Sequence, residues 1–390
     1  MADKQQAKKP WLYRALDFVE WGGNKLPHPA TLFALFALAV VVASAVFAAI
    51  NYSAVHPGTG KDILPVSLMN GDGLRRIVTT LVTNFTGFVP LGTVLVAMLG
   101  VGVAEGSGLL SAGIRALVLS APRKLITLVV VFSGVLSNAA SEAGYVILIP
   151  LAAVIFLGFG RHPLAGMAAA FAGVSGGYSA NLVLGTVDPL LSGITEEMAK
   201  IIDPAYTVNP AANYYFMVAS TLLITLIGTW VTESIVEPRL GTYTGDQREV
   251  SMERLKPEEK RGLKYAGLAV LMFAILLALA VIPEGAVLRD PKTGDILHSP
   301  FLSGIVAIIF FMFFLPGAVY GIVTRTVRND TDAVVFMGKA MSSLGVYIVL
   351  VFFAAQFVAY FSWTNLGLIS AIVESVHGKC LGKMGDHGPH

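Results

Sequence analysis

Long blocks of apolar residues dominate the chain, each about as long as the 20-residue helix that crosses a hydrocarbon layer and nearly free of charge. They recur near 31–50, 79–104, 163–187, 212–235, 265–283, 301–322 and 341–363. Only 13% of the 390 residues are charged, against roughly a quarter in a soluble domain, so too little polar surface exists to enclose these blocks in water. The chain therefore reads as an all-α polytopic membrane protein with about seven transmembrane helices, because only a helix or a closed barrel satisfies its own backbone in lipid. The single cysteine, Cys380, and a net charge of +2 exclude a disulfide scaffold and a nucleic-acid binder. Residues 1–30 form a polar segment without the apolar core of a cleavable signal, and within it residues 11–26 fit a helix lying on the membrane surface.

One segment, 124–160, does not fit the pattern of full crossings. Its two apolar stretches, 125–136 and 145–159, are each too short to span comfortably. The polar run Ser137-Asn138-Ala139-Ala140-Ser141-Glu142-Ala143-Gly144 separates them. This spacing predicts a re-entrant helical hairpin whose backbone turns at membrane depth, against protein or a water-filled cavity. Basic residues test the idea, since they concentrate in cytoplasmic loops and a hairpin preserves the parity of later crossings. With the N-terminus inside, inside segments hold nineteen Lys and Arg and outside loops hold six. A single full crossing over 124–160 would instead put the basic loop 239–264 outside. Arg75 and Arg76 run against the rule, whereas Trp11, Trp21, Trp230 and Trp363 fall near span ends, where amphipathic rings settle. The resulting plan has a first transmembrane half at 31–236, a cytoplasmic loop at 237–264, a second half at 265–368 and a polar tail at 369–390.

Two carboxylates, Glu142 and Asp188, fall within or beside broken apolar segments, where a charge costs on the order of 2.5–3.5 kcal/mol and is usually kept for an ion, a proton or a cargo. The plainer readings are that Asp188 ends the third span before Pro189, and that Glu142 complements the N-terminal dipole of the half-helix after it. Ser137, Asn138, Ser141 and Gly144 lie where two half-helices end and begin, leaving carbonyl and amide groups without helical partners. Broken helices of this kind hold anionic groups at half-helix N-termini and Na⁺ at unwound carbonyls. The run Gly173-Val174-Ser175-Gly176-Gly177-Tyr178-Ser179-Ala180-Asn181 weakens the third span in its middle. Close packing through Gly173 and Gly177 and the lining of a site are both open for Ser175 and Ser179, while Asn181 is read as site-lining. The candidate substrate-binding set is thus Ser137, Asn138, Ser141, Glu142, Gly144, Asn181 and Asp188. Asp188, Asn181 and Asn138 are the candidates for coupling to Na⁺ or H⁺, with a sodium position at Asn138 and Asp188 and no organic cofactor.

A rival reading takes Gly173-Val174-Ser175-Gly176-Gly177 as the G-x-S-x-G of an intramembrane serine hydrolase. Such a serine needs a base, and none of His28, His56, His162, His298, His377, His387 and His390 lies inside a span.

The run from Pro90-Leu91-Gly92-Thr93 to Val103-Ala104-Glu105, the hairpin 137–150, Gly160-Arg161-His162-Pro163-Leu164-Ala165-Gly166, Ser179-Ala180-Asn181-Leu182 and Thr186-Val187-Asp188-Pro189-Leu190-Leu191 together resemble the AbgT family of transporters, over roughly residues 12–368. The resemblance implies a homodimer in the bacterial inner membrane, with nine spans and two re-entrant hairpins per protomer. It implies import of p-aminobenzoyl-glutamate, a folate precursor, or efflux of sulfonamide antimetabolites, driven by a cation or proton gradient. By that similarity Asp188 matches the acidic residue that the first half contributes to the transport site, and 137–144 matches the first hairpin tip. The family pattern continues past Trp363-Thr364-Asn365-Leu366-Gly367 into a second hairpin and further site residues, where this sequence reads as the polar tail. The chain thus resembles the first part of an inverted-repeat secondary transporter, and a truncated, non-transporting remnant is the other alternative.

Overall fold

A computed structural model describes residues 25–55, 62–138, 144–185, 187–200, 203, 205–243, 255–296, 299–370 and 372. The described residues form thirteen principal helices and one minimal antiparallel pair, β1 (Ala54–Val55) and β2 (Asp62–Ile63). Six stretches are long and apolar enough to cross a membrane: Pro29–Ala49, Gly71–Gly106, Tyr214–Leu240, Pro257–Val281, Ile305–Thr324 and Gly345–Trp363. The helices Leu109–Leu119 and Arg123–Ser137, bent by 112° at the turn between them, supply up to a seventh. The chain divides into two compact units, one built from residues up to Phe88 together with those from Val346 onward, the other from Val89–Gly345.

The first unit contains α1 (Pro29–Ala49), α2 (Gly71–Thr86) and nearly all of α13 (Gly345–Trp363). Pro29 opens α1, where its missing N–H costs nothing, and Asn70 caps α2 by accepting the Gly73 amide at 2.7 Å. Ala37, Val40, Leu68 and Tyr360 form its core. Buried Gln356 on α13 donates to the Leu81 carbonyl and accepts from Asn84 Nδ2, both at 2.9 Å, so its amide is satisfied without water. The two arginines that defied the charge rule have local partners. Arg75 pairs with Asp72 at 2.6 Å, and the Arg76 guanidinium lies 4.2 Å from the Trp363 ring centroid. Beyond Trp363, residues 366–370 are again helical, and Ile369 and Ile372 are buried with Ala54.

The second unit runs α3 (Val89–Gly106), α4 (Leu109–Leu119), α5 (Ile126–Ser137), α6 (Gly144–Gly158), α7 (Pro163–Gly176), α8 (Val187–Ala199), α9 (Tyr214–Leu240), α10 (Pro257–Val281), α11 (Ile305–Thr324) and α12 (Asp330–Ser343). Helices α5, α6 and α7 enclose its main core of Val130, Val131, Leu148, Ala152, Ile155, Phe156, Ala169 and Val174. Contact is backbone to backbone where α5 crosses α7: a Cβ on Gly134 would lie 2.9 Å from Val174 N, and one on Gly173 would meet the Val131 carbonyl. The same device joins α3 to α11, where Gly317 faces the backbone of Ala104.

The two short helices α5 and α6 stand where the re-entrant arms were expected, within a residue or two of 125–136 and 145–159. The third apolar block is not one helix. It stops at Gly176, passes through a non-helical stretch and resumes as α8. The Gly176-Gly177 pair and the polar run after it favour turns over helix, and α8 extends to Ala199, well past the apolar block. Helices α4 and α12 form in segments where no span was expected. The surface-bound helix proposed for 11–26 lies almost wholly outside the described residues.

Candidate functional site

The first turn of α6, Gly144–Leu148, is a π turn, a wide ring whose rarity makes it a marker of functional sites. It faces the end of α5 at close range, because a Cβ on Gly144 would lie 2.9 Å from Ser137 Cβ and 3.0 Å from Val174 Cγ2. Ser137 is buried and donates back to the Gly134 carbonyl at 2.6 Å, so its hydroxyl is used within its own helix. Asn138 reaches further: its Nδ2 donates to the Val174 carbonyl of α7 at 3.0 Å. Asn181, in the break of the third block, answers from the other side, its Nδ2 donating to the Leu136 carbonyl at 3.4 Å. Each asparagine thus supplies a donor to a carbonyl near the end of the other's helix, where intrahelical donors run out. The Asn181 Oδ1 also accepts the amides of Leu182 (2.9 Å) and Val183 (3.3 Å), which fixes the turn after it.

Two tyrosines that drew no attention in the sequence close this arrangement. Tyr145 OH and Ser175 Oγ are 3.0 Å apart, and Tyr214 OH, from the start of α9, donates to the Leu182 carbonyl at 3.1 Å. Tyr145 thus ties the first turn of α6 to α7, and Tyr214 ties α9 to the unwound stretch, roles that spacing alone does not reveal. Asp188 sits in the first turn of α8, where Oδ2 accepts the Gly185 amide at 2.7 Å, as a carboxylate does when it caps a helix start. Among the described residues it shares no hydrogen bond with the hairpin tip. The structure therefore joins Ser137, Asn138, Gly144 and Asn181 in one cluster and places Asp188 at the far side of the break. Ser141 and Glu142 lie outside the described residues.

A cavity of about 570 Å³ lies beside the same break. It is lined by Val89 and Thr93 of α3, Pro189, Ser192, Gly193 and Glu196 of α8, residues 207–210 and the start of α11. Among the described residues, none of the candidate site residues lines it, although Pro189 adjoins Asp188. Its acidic wall is engaged: Glu196 accepts from Lys200 Nζ at 2.6 Å and from the Val208 amide at 3.0 Å.

A helical, multi-span protein in which a re-entrant hairpin meets a broken helix through polar side chains has the architecture of a secondary transporter. The AbgT putative transporter family model matches residues 14–386, and the chain belongs to this family. It is 39% identical over 355 residues to the p-aminobenzoyl-glutamate transport protein of Escherichia coli, covering 91% of this chain and 70% of that protein. It is similar to the YdaH transporter of Alcanivorax borkumensis, with a TM-score of 0.86 and 46% identity over 91% of this chain and 74% of the other. It is also similar to Neisseria gonorrhoeae MtrF, described as illuminating a class of antimetabolite efflux pumps, with a TM-score of 0.85 and 55% identity over 90% and 72% of the two chains. The serine-hydrolase reading gains no support, since these relatives are transport proteins and the Ser175 hydroxyl meets a phenol.

Proposed function

We propose that the chain is a gradient-driven carrier whose cargo is p-aminobenzoyl-glutamate or a sulfonamide-type antimetabolite, and that it does no chemistry on that cargo. The meeting of the hairpin tip with the broken third block at Asn138, Val174, Leu136 and Asn181 carries the reading. Polar groups are costly at membrane depth and are kept where they line a path. In this reading Ser137, Asn138, Ser141, Glu142, Gly144 and Asn181 face the cargo, and Asp188 with Asn138 and Asn181 takes the coupling Na⁺ or H⁺. The excess of Lys and Arg on one side of the spans supports a cytoplasmic N-terminus in the bacterial inner membrane. The working unit we infer is a homodimer, as family resemblance suggests.

Flux of labelled p-aminobenzoyl-glutamate and of a sulfonamide, measured in vesicles with imposed Na⁺ and pH gradients, tests the proposal. Asp188→Asn keeps the shape and removes the charge, and the expected result is a loss of gradient-dependent flux of about tenfold or more. Equal flux in the Asn form would remove Asp188 from the coupling step. Absence of gradient-dependent flux of either cargo in the unsubstituted chain would overturn the carrier reading.

A further inference from the structure

We propose that Arg161 is a positioning residue that pins the base of the re-entrant hairpin to α9 and so keeps its two arms, α5 and α6, in register during transport. The inference rests on the carrier reading above and deepens it. Arg161 lies in the turn between α6 and α7, with its side chain 19% exposed. Its Nε and Nη2 donate to the two carboxylate oxygens of Glu237 on α9, at 2.8 and 2.5 Å, a bidentate pair. Its Nη1 donates to Thr127 Oγ1 on α5 at 2.7 Å, and its guanidinium carbon stands 4.3 Å from the centroid of the Phe156 ring on α6. Glu233, one turn before Glu237, adds a second carboxylate at 3.7 Å. One planar group therefore ties both hairpin arms to α9, and a lysine has neither the fork nor the face to do so.

The anchor at the base differs in kind from the described contacts where α5 and α6 meet α7 and the broken block: those of Asn138, Asn181 and Tyr145 join neutral groups at 3.0 to 3.4 Å. At the base the contacts are charge-assisted, about twice as strong as neutral ones. Glu233 lies within a π turn, Thr232–Val236, and Glu237 directly follows it, in an otherwise regular helix, a feature concentrated at functional positions. In the sequence Arg161 is one basic residue of the inner side and part of the Gly160–Gly166 run, and spacing assigns it no partner.

The test uses the full chain in proteoliposomes, with labelled p-aminobenzoyl-glutamate as cargo. In a Cys380→Ser background, a nitroxide attached through Val146→Cys, an exposed site in the first turn of α6, reports the mobility of that arm without requiring transport. Arg161→Gln is expected to lower kcat about tenfold with KM within about twofold, because the residue acts through the hairpin and not on the cargo. The mobile fraction of the nitroxide should rise in the same variant, and Arg161→Lys should fall between it and the parent in both readouts. If Arg161→Gln does not fold, Arg161→Lys and Glu237→Gln are read in its place. A raised KM with unchanged kcat would overturn the proposal, as would a nitroxide spectrum identical to the parent's in every folded variant. Should the unsubstituted chain move no cargo, the carrier reading falls, and the spectra alone still decide whether Arg161 holds the hairpin.

Discussion

Gly144 offers the sharpest test of how the hairpin tip is built. Its φ is not among the positive values of the described glycines, so it is required for space and not for backbone conformation. A Cβ there would run into Ser137 Oγ, with Ser137 Cβ at 2.9 Å and Val174 Cγ2 at 3.0 Å, all closer than van der Waals contact allows. Overpacking of this kind costs about 1–3 kcal/mol, and at 1.36 kcal/mol per factor of ten the population of this close packing of α6 on α5 and α7 should fall about 5- to 160-fold. Gly144→Ala should therefore reduce cargo flux by a factor in that range, measured as initial rates in vesicles at matched protein density. Suppression supplies the control. Ser137→Ala in the Gly144→Ala background removes the colliding hydroxyl but leaves the Cβ contact, and should recover part of the rate. Ser137→Gly removes both and should recover most of it, less the roughly 0.5–1 kcal/mol that glycine costs in a helix, at the low end because Ser137 is the last residue of α5. Parental flux in Gly144→Ala, or failure of Ser137→Gly to improve on Ser137→Ala, would refute the steric reasoning.

Two further substitutions probe the interior. Ser133 on α5 is 1% exposed and, among the described residues, its hydroxyl has no hydrogen-bond partner, so Ser133→Ala should raise thermal stability by about 1–3 kcal/mol in detergent melting. A fall in melting temperature would show that the hydroxyl is satisfied after all. Gln356→Leu in the first unit strands Asn84 beside a greasy side chain and should destabilise by about 1–3 kcal/mol, whereas Gln356→Leu with Asn84→Leu should cost less than the two single changes added together. Strict additivity would mean the pair is not coupled.

The helices that cross are legible because a 20-residue apolar block has few alternatives, and the hairpin is legible because two short blocks flank a polar run. The elements that escaped notice carry mixed residues. Helix α12 begins with Asn329 capping the Asp332 amide at 3.0 Å and with Asp330 and Asp332 in its first turn, a start signal that hydropathy passes over. Helix α8 was hidden for the related reason that Glu196, Glu197 and Lys200 gave its end the look of a loop, although Glu196 and Lys200 pair across one turn.

At the site, residue type was readable and direction was not. Asn138 and Asn181 stand out in the sequence because they fall where apolar helices break, but the sequence leaves open whether a cargo group, an ion or a carbonyl meets them. The structure gives each a carbonyl near the end of the opposite helix, Val174 for Asn138 and Leu136 for Asn181, so in this state both serve the joint between hairpin and broken block. Asp188 accepts the Gly185 amide at the start of α8, next to Pro189 in the cavity wall, and among the described residues shares no hydrogen bond with either asparagine. In the proposed carrier this arrangement has a mechanical sense. A coupling ion at Asp188 would load the start of α8, while Asn138 and Asn181, proposed to meet both ion and cargo, would load the joint with the hairpin. The unwound residues from Gly177 to Gly185 are the covalent path between them, pinned midway by Tyr214 at the Leu182 carbonyl. Load placed at Asp188 would then reach the joint with the hairpin through this stretch, which Tyr214 ties to α9.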